Sequence, residues 1–340
     1  MKPTDFSKSL TDFLGLYLPG EKGVSPNTIA AYKDTFILFL GFINTKYSID
    51  AGKLTLQSIN QQCVITFLDW LESERRCSVS TRNARMAALH SFFRYLQYRH
   101  PVQMYEWQRI LSIPFKKTGK PTISYICIEG IKLLLTQPDQ QSAKGQRDLA
   151  LLSLMYDSAA RVQEMIDLVP SSIGFNKPYT IKLFGKGSKG RIVPLMENQV
   201  SLLKNYMTHN RLLEPYAAMY PLFSNGRHEK LTRMGITLIL KKYVKKAVAI
   251  DPSLFPKTVT PHIIRHSKAM HLLQAGVNIV YIRDFLGHTS VSTTEIYARA
   301  DSRMKREALE RSYVDVNQKS AEDAAWLKNA ELLEWLKGLK

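Results

Sequence analysis

Residues 260–297 read TPHIIRHSKAMHLLQAGVNIVYIRDFLGHTSVSTTEIY, and this stretch decides how the rest of the sequence is understood. It places His262, Arg265 and His266 within five residues. Leu286-Gly287-His288 follows, and Tyr297 stands nine residues beyond His288. Two further segments lie upstream. Tyr156-Asp157-Ser158-Ala159-Ala160-Arg161-Val162-Gln163-Glu164-Met165 carries an arginine with a glutamate at i+3. Gly185-Lys186-Gly187-Ser188-Lys189-Gly190 sets a lysine in a glycine-rich turn.

These residue types suit transfer of a phosphodiester to a protein nucleophile. A tyrosine hydroxyl leaves and attacks well, but its free pKa near 10 requires that its proton be removed as it reacts. Charge building on the non-bridging oxygens needs cationic donors, and the planar fork of arginine gives two hydrogen bonds at once. A lysine on a turn can protonate the departing sugar oxygen. Imidazoles near neutrality donate hydrogen bonds and move protons. Arg161, Lys186, His262, Arg265, His288 and Tyr297 supply all of this without a cofactor or metal. Lys189 and Arg191 beside the turn are expected to touch phosphate, with solvated surface charges as the alternative. His266 and His271 are expected to pack or hydrogen-bond structurally, and Tyr281 to lie in the core.

The boxes resemble those of the tyrosine recombinase, or phage-integrase, family, which includes the Xer-type chromosome-resolving enzymes. The Arg161 segment resembles TGLR-x-x-E, Lys186 falls in GKGxKxR, His262 to His266 match H-x-x-RH, and Leu286-Gly287-His288 with Tyr297 match LGH and its tyrosine. The resemblance runs from about Asn27 to Tyr297. It implies that Arg161 and Arg265 clamp the scissile phosphate, Lys186 protonates the leaving 5′ oxygen, His262 is a general acid/base, His288 hydrogen-bonds the phosphate, and Tyr297 forms a 3′-phosphotyrosyl link. It implies a mostly α fold with a small β-sheet: a helical, SAM-like core-binding domain and a catalytic domain forming a C-shaped clamp on DNA. Ala159 departs from the pattern, standing where the family often has glycine; alanine is expected to suit a helix start there.

Outward from the boxes, residues 123–312 are expected to form the catalytic domain, with β-prone runs Tyr179–Phe184 and Arg191–Leu195 joined by the glycine turn. Residues 1–111 read as helices. Ile29, Tyr32, Phe36, Phe39 and Ile43 recur at spacings of three and four, as do Val64, Phe67, Leu68 and Leu71, and then Met86, Leu89, Phe93 and Leu96. Ser25-Pro26 and the hydroxyls of Ser78 to Thr81 mark helix starts. Arg82 and Arg85 fall in the first turn of the third helix, where the dipole disfavours cations, so an external anion such as DNA phosphate is one reading of them. Residues 112–122, with two prolines, a glycine and three lysines, read as a basic linker able to lie along a phosphate backbone. Residues 313–340 read as a tail helix carrying Trp326, Leu333 and Trp335, expected to contact a neighbouring protomer.

Charge agrees with a polyanionic partner. The net charge is +18, and all of it falls in residues 1–299, which hold 39 basic and 21 acidic residues; residues 300–340 are neutral. Three scattered cysteines suggest neither a disulfide framework nor a zinc site. The absence of a long apolar run or signal-like N-terminus points to the cytoplasm and away from a membrane. The expected partners are double-stranded DNA recombination sites and further copies of the chain, a dimer on each site and a tetramer in synapsis. The expected function is site-specific recombination for integration, excision or transposition of a mobile element. A housekeeping Xer-like resolvase, a non-catalytic DNA-binding protein on this scaffold, and a type IB topoisomerase are the alternatives.

Overall fold

The computed structural model describes residues 2–119, 123–185, 190–300, 334 and 336–338. The chain divides into two compact units, Met1–Pro121 and Thr122–Lys340.

Among the described residues, the regular structure of the first unit is helical. Thr4 caps α1 (Asp5–Asp12), which runs on into a π-helical segment, Phe13–Glu21. Helix α2 (Pro26–Tyr47) starts with Ser25 at its N-cap and Pro26 inside the first turn, a position where the missing N–H of proline costs nothing. In α3 (Gln61–Ser73) the Asn60 side chain accepts the Cys63 N–H, and in α4 (Val79–Arg99) the Ser78 hydroxyl accepts the Thr81 N–H. Helix α5 (Met104–Leu111) closes the unit. The apolar positions anticipated from periodicity form its core: Phe36, Phe39, Ile43, Val64, Phe67, Leu68, Leu71, Met86, Leu89, Phe93 and Leu96 are all buried. Cys63 packs among them, and burial pushes its thiol up to about 11.

The expected linker begins differently. Its first half is fastened to this unit: Ile113 is buried, the Lys116 backbone exchanges two hydrogen bonds with the Asn83 side chain, and the Lys116 ammonium pairs with Glu72. Those bonds occupy groups that the sequence reading offered to phosphate.

The second unit carries α6 (Ile128–Leu135), α7 (Ala143–Ser158) and the short α8 (Val162–Ile166). A three-stranded antiparallel sheet follows in the order β1 (Ile173–Gly174), β2 (Thr180–Phe184), β3 (Gly190–Pro194), with Ile181 opposite both Ile173 and Val193. Then come α9 (Glu197–His209), α10 (Arg233–Ile250), α11 (Pro261–Gln274), α12 (Ile279–Leu286) and α13 (Glu295–Ala300). Strand β1, two residues long, had no signal in the sequence. The main core joins the sheet's Ile181, Leu183 and Val193 to α7, α9 and α10. A second, smaller cluster joins Ala159, Ala269, Met270, Leu273, Ile282, Leu286 and Tyr297. It binds the end of α7 to α11, α12 and α13, and so holds together the segments that carry Arg161, Arg265, His288 and Tyr297. Tyr281, expected in the core, is 70% exposed because it faces outward from α12, whose buried stripe is Ile282 and Leu286. The tail-helix reading of residues 313–340 lies outside the described residues, apart from the short piece at 334 and 336–338.

Candidate active site

Two helix ends build the floor of the site. Helix α7 stops at Ser158, and Ala159 turns the chain with φ 46° and ψ 34° before Arg161 begins α8. The alanine therefore caps a helix C-terminus in the left-handed region, where glycine is the usual residue, instead of starting a helix as the sequence suggested. Helix α12 stops at Gly287, also left-handed at φ 64°. A Cβ at Gly287 would stand 3.0 Å from Arg191 Cδ, so backbone conformation and space both require glycine. The two turns expose carbonyls that two arginines read. Arg265, on α11, donates to Ala159 O at 2.6 Å and to Leu286 O at 2.5 Å. Arg161 donates to Gly287 O at 3.0 Å.

Glu164 organises the cations. One carboxylate oxygen accepts from Arg161 Nη1 (2.8 Å) and Arg191 Nη1 (2.7 Å); the other accepts from the Arg161 backbone N–H (2.7 Å) and Arg191 Nη2 (2.8 Å). Burial alone would raise its pKa, but these bonds, led by those from Arg191 and the Arg161 backbone, outweigh it and hold the carboxyl below its usual range. Arg191 also gives its Nε–H to Phe285 O at 2.9 Å. The Arg191 guanidinium is thus a strut between β3, Glu164 and the end of α12, and it also lines the open side of the site. Arg265 is buried, and desolvation together with the nearby Arg161 and Arg191 pushes it down to about 9, so it stays cationic at neutral pH.

The imidazoles and the phenol sit against this frame. His288, just past α12, has Nδ1 2.9 Å from Thr294 Oγ1. Desolvation, then the charges of Arg265, Arg161 and Arg191, push it down to about 4, so the ring is neutral near pH 7. Tyr297, on α13, is 1% exposed, and its hydroxyl lies 2.8 Å from His266 Nδ1. Burial raises the phenol's pKa, with Arg265 opposing. His262, on the first turn of α11, is exposed, its ring 6.5 Å from that of His266. An open pocket lined by Arg161, Gly190, Arg191, Gly287, His288 and Thr293 lies over the arginines. The arrangement offers preorganised cationic donors beside a neutral imidazole and a phenol, the donor set that a phosphodiester transfer needs.

The structure thus brings Arg161, Arg265, His288 and Tyr297 together, with His262 at the rim of the same helix. Lys186 and Lys189 lie outside the described residues. Arg82 and Arg85 are far along the sequence in the first unit, and both turn inward: Arg82 is 5% exposed and donates to Asn83 and Met86 Sδ, while Arg85 ties α4 to Ala31 O and Thr35 on α2. These internal partners account for two cations in a helix's first turn without an outside anion. His271 is structural as expected, its Nδ1 2.9 Å from the Tyr156 hydroxyl.

Two family models cover the chain: the phage integrase family over residues 128–304 and the phage integrase N-terminal SAM-like domain over residues 11–100. The chain belongs to the phage integrase family. Integrase/recombinase y4rC of Sinorhizobium fredii is 34% identical over 309 residues, covering 91% of this chain and 92% of that one. Tyrosine recombinase XerC of Herpetosiphon aurantiacus is 31% identical over 297 residues, covering 87% and 91%. Among solved structures, XerH site-specific recombinase bound to a palindromic difH substrate aligns with TM-score 0.68 at 21% identity, covering 83% of this chain and 79% of that one. The Tn1549 transposon integrase in complex with transposon right-end DNA aligns with TM-score 0.66 at 16% identity, covering 89% and 99%. The fold of this tyrosine recombinase is therefore that of the family, an N-terminal SAM-like unit followed by a mostly helical unit with a small sheet. Its glutamate–arginine network and the His266–Tyr297 contact were not read from the sequence. Glu164 and Arg191 are 27 residues apart, and His266 and Tyr297 are 31 residues apart, so neither pairing follows from spacing.

Proposed function

We propose that this recombinase cleaves and rejoins duplex DNA at specific sites through Tyr297, in the integration and excision of a mobile element. The observation that carries the reading is the convergence of Arg161 and Arg265 with His288 and Tyr297 around carbonyls of two helix ends.

In the reaction, Tyr297 Oη forms a bond to the scissile phosphorus as the bond to the 5′ oxygen breaks. One phosphodiester replaces another, so the step needs no external energy source, and rejoining is its reverse. Arg161 and Arg265 hold the non-bridging oxygens as negative charge grows. His288, neutral in the free protein, adds a hydrogen bond. The leaving oxygen takes a proton from Lys186, whose role rests on the family pattern. The buried phenol must become accessible to the phosphate before attack. The +18 surplus in the two units supports affinity for phosphate backbones. One protomer per half-site, two per site and four in synapsis is the proposed assembly, with residues 319–340 linking protomers.

The test is a nicked half-site DNA that traps the covalent adduct. The wild-type chain forms it, in EDTA as in buffer; Tyr297→Phe binds the DNA and forms none. An adduct at normal yield in the Phe variant would sink the assignment. Strand exchange between two labelled sites separates a recombinase from a topoisomerase, which would only relax supercoils. Relatives named integrase/recombinase and XerC match at comparable identity. The mobile-element role is therefore tested on the DNA flanking the gene, where inverted repeats at the ends of an element are expected. Exchange only at a chromosomal or plasmid dimer site would favour the Xer-like role.

A further inference from the structure

We propose that His266 is the group that holds the Tyr297 hydroxyl and takes its proton as the bond to phosphorus forms. This rests on the reading of Tyr297 as the nucleophile. It assigns the proton to a residue other than His262, to which the sequence pattern gave acid/base work.

The geometry favours His266. Its Nδ1 stands 2.8 Å from Tyr297 Oη, the rings 5.6 Å apart and inclined by 56°. Proton abstraction needs a base within hydrogen-bond reach of the atom that gives up its proton, and this pair has that already in the free protein. His262 is exposed, one turn before His266 on α11, with its ring 6.5 Å from that of His266. Arg265, the immediate neighbour of His266, is buried and fixed by Ala159 O and Leu286 O. One turn of α11 therefore delivers a cation and a base to the same site.

The electrostatics set the timing. The groups facing His266 are His262 and Arg265 on its own helix, Tyr297 on α13, and His288 beyond α12. Burial, then His262 and Arg265, lower the His266 pKa below its usual 6.5, while burial raises that of Tyr297. Transfer in the free protein is thus uphill, and the pair rests as a neutral phenol donating to a neutral imidazole. A bound phosphate brings negative charge that offsets Arg265 and favours the imidazolium. As phosphorus bonds to Oη the phenol's proton becomes strongly acidic, and it moves to Nδ1 in that step. Rejoining returns it when the aryl ester is cleaved. The same contact keeps the nucleophile protonated and inactive without DNA.

The experiment uses the full chain and the nicked half-site, with adduct formation measured from pH 5 to 9. In His266→Asn the amide oxygen takes the place of Nδ1 as acceptor but does not bind a proton. The expected result is a loss of about 100-fold in the cleavage rate, in the range of general acid–base catalysis, with DNA affinity retained. In the wild type the rate falls as pH drops through the lowered His266 pKa; in the Asn variant that acid limb is absent. Replacing Tyr297 by 3,5-difluorotyrosine, a more acidic phenol, in the Asn variant should restore at least tenfold. A rate within threefold of wild type with the acid limb intact overturns the proposal. If the Asn variant does not fold, ¹⁵N spectra of the imidazoles in the wild type decide. An unprotonated Nδ1 at His266 at neutral pH, perturbed by Tyr297→Phe, supports the proposal, and a protonated Nδ1 overturns it. An adduct in Tyr297→Phe would instead sink the nucleophile reading on which this rests.

Discussion

The core of the first unit and the small cluster under the active site are both buried, yet they are held together in different ways. In the first, aromatic rings meet aromatic rings: Phe39, Phe42 and Trp70 surround Phe67 with ring centroids 5.1 to 6.0 Å away. In the second, seven apolar residues lie beside a buried carboxylate and three guanidinium groups whose donors end on carbonyls at helix ends. The first region gains stability from area removed from water. The second gains little area and holds its charges by mutual pairing, which fixes geometry more than it adds stability. A core of the first kind can be repacked without moving any chemistry. The second cannot lose a member without freeing a charged group from its partners.

Stability should respond most in the first region. Phe67 is fully buried, and Phe67→Ala should destabilise the first unit by about 3–5 kcal/mol, the usual cost of emptying an aromatic site. Hydrogen exchange should show the loss confined to residues 1–121. Equal loss of protection in α11 and α13 would show that the two units unfold together and would blur the comparison.

Arg265→Ala should act in the opposite sense, costing the reaction more than the fold. Donors aimed at developing charge contribute roughly 3–4 kcal/mol each, so adduct formation should slow about a hundred- to a thousand-fold. Half-site affinity should change much less. Parallel losses in binding and cleavage would mean that the arginine acts mainly as a strut for Ala159 O and Leu286 O.

These contrasts explain what was legible in the sequence. Helices α2, α3 and α4 were readable because one face of each is apolar at the helical period, and burial enforces that period directly. Strand β1 was not, because two residues carry no period. Among the site residues, Arg161, Arg265, His288 and Tyr297 were legible from residue type and order. What charge in a sequence does not reveal is where a guanidinium ends. Arg82, Arg85 and Arg191 all read as phosphate contacts, and all three spend donors inside the protein, on partners up to 54 residues away. His266 was expected to pack or hydrogen-bond, but its partner, 31 residues further along the chain, was not readable for the same reason.

Glu164→Gln is a smaller, pH-dependent probe of the charged region. It should destabilise the second unit by about 1–3 kcal/mol near neutrality, because Arg161 and Arg191 lose a buried charged acceptor. The folded carboxyl sits below its ordinary value, so the stability it contributes is present above the unfolded pKa near 4.3 and is lost as pH falls through the lowered folded value. The gap between wild type and variant should therefore be full at pH 6 and shrink as pH drops below 4. A gap independent of pH, followed by thermal or urea unfolding, would show that packing and not charge is what Glu164 supplies.

Ala159 provides the finest test, because two opposing effects nearly cancel there. Its φ of 46° places an L-residue in the left-handed region, at a cost of roughly 1–2 kcal/mol that glycine escapes. Against this, glycine removes a fully buried methyl, about 0.8 kcal/mol, and adds freedom to the unfolded chain, about 0.4–1 kcal/mol. Ala159→Gly should therefore leave stability within about 1 kcal/mol of wild type, despite deleting a buried side chain. Cleavage should be unchanged, since Arg265 binds the backbone oxygen of residue 159 and not its side chain. A loss of more than about 2 kcal/mol, the cost of a fuller cavity, would show that the methyl is a packing element and that the left-handed cap is not under strain. Intact stability with slowed cleavage would show instead that alanine's stiffer backbone is what aims the Ala159 carbonyl at Arg265.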